Sequence, residues 1–294
     1  MIINNMNSSH PIVAIRTLVY NHEPYLRDYF NGILMQQTSF PFVVIVHDDA
    51  STDNSADIIR EYAERYPDII KPIFETENQY SKGNGTLFRI MTNACMIAKY
   101  MAYCEADDYW TDPNKLQRQV DFLENNPEYS AIGENATVEN SVVNKKYLFN
   151  ESPSHDVDME EIITQRRFPT AGVVCRTKAI NGLQKECNYY HDTMQWCWLL
   201  SKGKFRYSSI ISSVYRKGTQ GVTVSIPPFK FAQRVEKWNL EILRVFNVTK
   251  IFIFHNIAYN YYICSKNALR RMKFKDFIQC FYYTIFFLFK SSLL

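Results

Sequence analysis

From Ile12 to Leu123 the apolar positions follow one repeating order: a short continuous run, a polar turn, then apolar residues three and four apart. The run Ile12 to Ile15 reads as a buried strand, and the turn Tyr20 to Glu23 leads to Pro24, whose fixed φ suits the first position of a helix. Leu26, Tyr29, Phe30, Ile33 and Leu34 then fall on one helical face. Pro41 introduces a second strand, Phe42 to Val46, which ends in the acidic turn His47 to Asp53. Thr52 or Asp53 can cap the next helix, whose apolar face carries Ile58, Ile59, Tyr62, Ala63 and Tyr66. A third strand, Ile69 to Phe74, is pushed toward a sheet edge by Pro72, and a polar loop from Glu75 to Thr86 precedes a helix over Phe88 to Lys99. The strand Tyr100 to Cys104 runs into a second acidic turn, and Asp112-Pro113 opens a helix carrying Leu116, Val120 and Leu123.

This alternation predicts an α/β fold with a mostly parallel sheet and helices on both faces, where ligands bind beyond the carboxyl ends of the strands. Past Pro127 the pattern loosens: strands are expected over Ser130 to Glu134, Thr137 to Leu148, Ala171 to Cys175 and Ile210 to Arg216, with helices over Asp158 to Arg166 and from about Asp192. From Pro227 the pattern is helical in three segments, which divides the chain into a main part, 1–226, and a helical appendage, 227–294.

With 294 residues and 46% hydrophobic content, the chain can bury one large α/β core. Its net charge of +3 hides an asymmetry: from Pro227 onward there are 11 Lys and Arg against 3 Asp and Glu, a net of +8, whereas residues 1–226 carry −5. A basic tail rich in Phe, Tyr and Ile fits either an anionic membrane surface or a helical pack with solvated lysines. No finger, helix-turn-helix or RNA-binding signature accompanies the charge, so nucleic acid is not an expected partner. Seven scattered cysteines without a C-x-x-C pair argue against a zinc site or a disulfide framework and fit a reducing cytoplasm. Met1 to His10 has no apolar core of a secretory signal, and Ile278 to Phe289 is too short to span a bilayer but long enough to lie on one.

The candidate chemistry sits in the acidic turns. Glu105, Asp107 and Asp108 follow a strand directly, and carboxylates this close are costly to keep ionised together unless a cation neutralises them. A helix cap does not explain them, because Asp112-Pro113 already supplies one. Asp48-Asp49 stands in the same relation to the second strand, where a plain turn is an equally simple reading.

The segments TLVYNHEPYL (Thr17 to Leu26), FVVIVHDDASTDNS (Phe42 to Ser55), TENQYSK (Thr76 to Lys82), YCEADDYWTDPNKLQRQVDFL (Tyr103 to Leu123) and SVYR (Ser213 to Arg216) together resemble the family 2 glycosyltransferases of the GT-A fold, particularly those that build bacterial surface polysaccharides. The resemblance orders the chain from about residue 10 to 226. It implies that Thr17, Tyr20 and Glu23 border a nucleotide pocket, that Asp48 contacts the base, and that Asp107 and Asp108 hold Mg²⁺ or Mn²⁺ against the diphosphate of a nucleotide-sugar. Lys82 and Arg89 stand where a basic group could help neutralise that diphosphate. Asp192, before a helix with Trp196 and Trp198, matches the family's general base, with Tyr189 and Tyr190 offering rings to a sugar. The implied reaction is inverting transfer from a nucleoside diphosphate sugar, UDP-linked, to a saccharide or lipid-linked saccharide acceptor, by an enzyme in the cytoplasm or on the inner face of the plasma membrane. Two positions depart from the family pattern. Tyr215-Arg216 is followed by Lys217-Gly218 rather than by a His, which puts a third protein metal ligand in doubt, and Glu105 stands where the first Asp of an Asp-x-Asp form is usual. Two rival readings remain. A nucleotidyltransferase would want a glycine-rich phosphate loop, which Thr17 to Glu23 lacks. The other rival is a catalytically silent sugar-nucleotide binding subunit of a membrane assembly complex.

Overall fold

The computed structural model describes residues 10–83, 85–188, 190–218 and 226–293. Strands β1 (Val13–Val19), β2 (Phe42–Asp48), β3 (Ile70–Phe74) and β4 (Tyr100–Tyr103) alternate with helices α1 (Leu26–Leu34), α2 (Ser55–Arg65) and α3 (Thr86–Cys95). After the short β5 (Tyr109–Trp110) come α4 (Lys115–Asn125), β6 (Tyr129–Asn140), β7 (Lys145–Leu148), β8 (His155–Asp156), α5 (Met159–Thr164) and β9 (Val173–Arg176). The remainder is α6 (Leu183–Glu186), α7 (Asp192–Leu200), β10 (Lys204–Lys217) and three long helices, α8 (Pro228–Val245), α9 (Lys250–Arg270) and α10 (Phe274–Ser292).

All ten strands join one sheet whose main path runs β3-β2-β1-β4-β9-β6-β10-β5. β3, β2, β1 and β4 pair in parallel, as the βα alternation requires. β9 then runs antiparallel to both β4 and β6, so the parallel character predicted for most of the sheet is confined to its first half and to the β6–β10 pair. Past β4 the chain no longer repeats one strand–helix unit, and β9 enters between β4 and β6 from the opposite direction. Pro72 does sit on an edge strand.

The strands expected over 130–134 and 137–148 are instead one strand, β6, followed by a hairpin to β7. Glu134 and Asn135 are both buried in the strand with their polar atoms satisfied: Glu134 takes Arg118 at 2.8 Å, and Asn135 bonds Asn150 and the Ala136 N–H. β10 answers with register shifts between Ser208 and Ser213.

Alternate residues of the strands feed two cores. Val13, Ile15, Val44 and Val46 face one layer with Tyr29 and Phe30 of α1, Ile58 and Ile59 of α2, and Leu116 and Val120 of α4. Ala14, Val43 and Ile45 face the other, built with Phe88 and Met91 of α3, Met194 and Trp196 of α7, and Ile253 and Ile257 of α9. Burying each such side chain contributes about 2 kcal/mol. The three C-terminal helices therefore share the second core rather than hanging from the sheet. The seven cysteines are all buried.

Candidate active site

Parallel register carries both acidic turns to one edge. β1 lies between β2 and β4, with Val19 opposite Asp48 and Arg16 opposite Tyr103, so the turns leaving β2 and β4 flank the turn leaving β1. Each turn is tied to its neighbour. Glu105 folds back on β1, where its carboxylate accepts from the Arg16 guanidinium (3.1 Å) and the Leu18 N–H (3.0 Å). Burial pushes the Glu105 carboxyl up to about 7, with Asp192 and Asp107 adding to the shift and Arg16 opposing it. Asp108 is buried and accepts the Arg216 N–H at 2.8 Å, and burial, then the charge of Asp107, raises it well above the usual carboxylate range. Arg216, near the end of β10, clamps the same turn: its guanidinium donates to the Asp107 carbonyl (3.4 Å) and to Asp28, and lies 4.4 Å from the centre of the Tyr109 ring. The SVYR segment is thus the brace of the second acidic turn.

The first turn divides its work. Asp49, which sequence reading left as a turn residue, holds the loop after β3 by accepting the N–H groups of Gln79 (2.7 Å) and Tyr80 (3.0 Å). Asp48 accepts from the Ser51 N–H at 3.3 Å through Oδ2, while its Oδ1 is buried with no partner among the described residues. Glu23 accepts from the Asn54 backbone and side chain, stitching the β1 turn to the start of α2. Thr17 is fully buried, and its hydroxyl meets that of Tyr29 behind the strand, so its side chain supports the edge from beneath instead of bordering a pocket. Tyr20 is exposed above it.

Over this edge opens a cavity of 1130 Å³; of the site residues named from sequence Glu105, Tyr190 and Asp192 line it, whereas Thr17, Tyr20, Glu23, Asp48, Asp107 and Asp108 lie outside its lining. His191, not Asp192, caps α7: its Nδ1 accepts the Met194 N–H at 3.4 Å. Asp192 is left without a capping role, about half exposed, with Oδ2 accepting from the Thr170 hydroxyl (2.8 Å) and 3.8 Å from Arg166. Arg166 also reaches the Tyr215 hydroxyl at 3.4 Å. It comes from the irregular segment after α5, where sequence reading had it as a helix end, and no spacing marks it as a site residue.

Lys82 and Arg89 do not line the cavity, contrary to their expected place near a diphosphate. Lys82 pairs with Glu77 (3.0 Å), because its loop turns Gln79 and Tyr80 to the cavity instead, and Arg89 bonds Thr86 on the surface of α3, whose cavity face carries Leu87 and Phe88. Trp196 and Trp198 are likewise core residues, the former edge-on to Tyr103. Of the two tyrosines before α7, Tyr189 lies outside the described residues. Tyr190 lines the cavity, stacked 4.5 Å from Phe88. It presses on Gly85, where φ is +75° and an added Cβ would sit 2.3 Å from the ring, so only glycine fits.

The far wall of the cavity comes from α8 and α9, which begin beyond the boundary drawn at 226. Trp238 of α8 stacks on His191 at 4.6 Å, and burial pushes His191 down to about 4 against the opposing charges of Asp192 and Glu241. Among the described residues no three His, Cys, Asp or Glu side chains converge closely enough to hold a metal unaided.

Carboxylates are gathered at the carboxyl edge of the sheet's parallel half, beside a large cleft, and comparison with known proteins identifies the family. The family model described as glycosyl transferase family 2 matches residues 15–183, and the chain belongs to that family. An Escherichia coli relative, the UDP-Glc:α-D-GlcNAc-diphosphoundecaprenol β-1,3-glucosyltransferase WfaP, is 24% identical over 70% of this chain and 76% of its own. The structure resembles Staphylococcus aureus TarS in complex with UDP-GlcNAc (TM-score 0.67, 16% identity, 94% of this chain and 81% of that one). It also resembles the Pyrobaculum calidifontis mannosyltransferase PcManGT with GDP-Man and Mn²⁺ (TM-score 0.59, 16% identity, 97% and 76%). These two likenesses establish the GT-A fold. Against mycobacterial relatives 44% identical over 116 residues, the chain matches 32% of their length.

Proposed function

We propose that the chain is an inverting glycosyltransferase that moves a sugar from a nucleoside diphosphate sugar, UDP-linked, to an acceptor hydroxyl in the synthesis of a surface polysaccharide or glycolipid. The observation that carries this reading is the meeting of Asp192 with Glu105, the first acid of the second acidic turn, across one cleft, although the two lie on different elements far apart in the chain.

Asp192 is the general base. Its carboxylate faces the cleft and takes the proton of the attacking hydroxyl, while Thr170 and Arg166 fix its orientation. A single displacement from the side opposite the leaving group inverts the anomeric carbon. Asp48 Oδ1, buried without a partner, is an acceptor left over for an N–H of the base. Asp107 and Asp108 offer adjacent hard oxygen donors that suit Mg²⁺ or Mn²⁺, and a cation there would favour the ionised Asp108 carboxylate that burial and Asp107 disfavour. When bound, that ion supplies Lewis-acid charge against the departing diphosphate. Glu105, engaged by Arg16 and Leu18 at the cleft wall, positions the turn.

Transfer from UDP-sugars measured with and without Mn²⁺ tests the reading. Asp192→Asn should keep donor binding and lose turnover by about two to four orders of magnitude. Equal loss of binding and turnover would make Asp192 structural, and donor binding without any transfer or donor hydrolysis would favour the silent binding subunit.

We further propose that the enzyme works at an anionic membrane face, which suits a lipid-linked acceptor. Among the described residues no helix is long and apolar enough to cross a membrane. α10, however, exposes Phe274, Ile278, Phe281, Tyr282, Ile285 and Phe289 along one stripe, with Arg270, Arg271, Lys273 and Lys275 exposed at its start. Ile278→Glu with Ile285→Glu should abolish flotation with phosphatidylglycerol vesicles. Unchanged flotation would remove α10 from the contact.

A further inference from the structure

We infer that the α8 wall of the cavity binds a phosphate group carried by the acceptor. The inference rests on the transferase reading above and names the acceptor's chemical class. α8 presents Lys230, Arg234 and Lys237 to the cavity at helical spacing, on the face that also carries Trp238. None of the three has an ion-pair or hydrogen-bond partner among the described residues. The two acids of α8 are committed elsewhere: Glu236 accepts from the Tyr261 hydroxyl at 2.6 Å, and Glu241 pairs with Arg244 at 2.7 Å and takes the Asn188 N–H.

Charge around the cavity is therefore divided. At the sheet edge Arg16 is matched by Glu105 and Arg166 by Asp192, whereas the α8 side holds three unmatched cations and no acid. A basic helix face on an open surface would need no ligand. Here the cations converge on a concave space shared with the general base, where low-dielectric walls concentrate their field on whatever enters. A phosphate is the anion that such a set fits, since it offers several strong acceptor oxygens to a guanidinium and two ammonium groups.

The position points to the acceptor rather than the donor. The Asp107–Asp108 turn meets the cleft through Glu105, while α8 meets it from the other side, through the Trp238–His191 stack next to Asp192. The base takes its proton from the acceptor hydroxyl, so the side of the cleft next to Asp192 is the acceptor's.

The test is isothermal titration of the full chain with decyl phosphate, glycerol 3-phosphate and uncharged decyl glucoside, each with and without UDP and Mn²⁺. Decyl phosphate is expected to bind and decyl glucoside not to. Removing two charge-assisted contacts in the R234Q/K237Q variant should weaken phosphate binding about tenfold or more, and the charge-preserving R234K/K237R variant should retain it. Binding of both phosphates would point to a polyol phosphate as the source, and binding of decyl phosphate alone to a lipid-linked phosphate; either result supports the site. The inference is overturned if R234Q/K237Q binds decyl phosphate as tightly as the wild type, if UDP displaces it, or if decyl glucoside binds equally well. Absence of sugar transfer alongside intact, UDP-independent phosphate binding would instead count against the transferase reading alone.

Discussion

Replacing His191 by Asn should remove a loss of stability that acid imposes on the wild-type chain. Burial pushes His191 from 6.5 down to about 4, with Asp192 and Glu241 opposing the shift, because the ring is stacked against Trp238 and its Nε2 is buried without a partner. The unfolded chain takes up this proton near pH 6.5 and the folded chain only near pH 4. Between those values the unfolded state binds more protons, so stability rises with pH. The contribution is fully present above pH 6.5, declines as the pH falls, and is gone below pH 4. Its full size is about 3.4 kcal/mol, of which ~2.5 kcal/mol is already lost at about pH 4.5, both upper values because the ring keeps some contact with water. Asn still offers an acceptor at the helix cap, so the substitution costs chiefly the ring stack, about 1 kcal/mol. Urea unfolding of both proteins at about pH 7 and ~4.5 reads the difference, since every other carboxylate titrates alike in the two. The variant should be the less stable at neutral pH and the more stable in acid. Equal losses in both proteins would mean that His191 is not held neutral, and that α8 does not close over the Asp192 side of the cleft as the Trp238 stack implies.

Asp108→Asn should abolish metal-stimulated transfer, and substantial retained activity would take Asp108 off the metal. Gly85→Ala forces a Cβ to 2.3 Å from the Tyr190 ring at a φ of +75°. It should lower stability by about 1 to 3 kcal/mol and raise the acceptor KM, and a neutral melting curve with unchanged KM would refute the tight Gly85–Tyr190 contact. Asp49→Ala strips the acceptor from two backbone N–H groups of the 79–85 loop, a penalty of about 1 to 3 kcal/mol for each one left unsatisfied. Limited proteolysis should then cut within that loop faster than in the wild type, whereas an unchanged rate would mean that Asp49 is not its anchor.

The apolar runs and the three-and-four spacing were enough to order β1 to β4 and their helices, because parallel βα units repeat one local rule and each residue's burial follows from its own period. The acidic residues at strand ends were legible for the same reason: a strand's carboxyl end is a position along the chain, so Asp48, Asp107 and Asp108 could be assigned to one edge before their neighbours were known. Asp192 was reached only through resemblance to a family. Its freedom from helix capping depends on His191 taking that place, which a one-residue ambiguity in the helix start conceals. Lys82 shows the limit from the other side, since the direction of a loop side chain is set by backbone turns that composition does not encode.

What the sequence by itself determined is the βα alternation, the basic helical end and the chemistry available at the strand ends, all of them properties of neighbouring residues. Only the tertiary structure decided that β9 runs antiparallel within the sheet, that Arg166 and Thr170 hold Asp192, and that Lys230, Arg234 and Trp238 complete a cleft whose floor lies more than a hundred residues away in the chain. Those contacts join segments with no periodic relation to one another, and they form because burying the shared core between the sheet and α8, α9 and α10 carries the C-terminal helices to the edge where the acids stand.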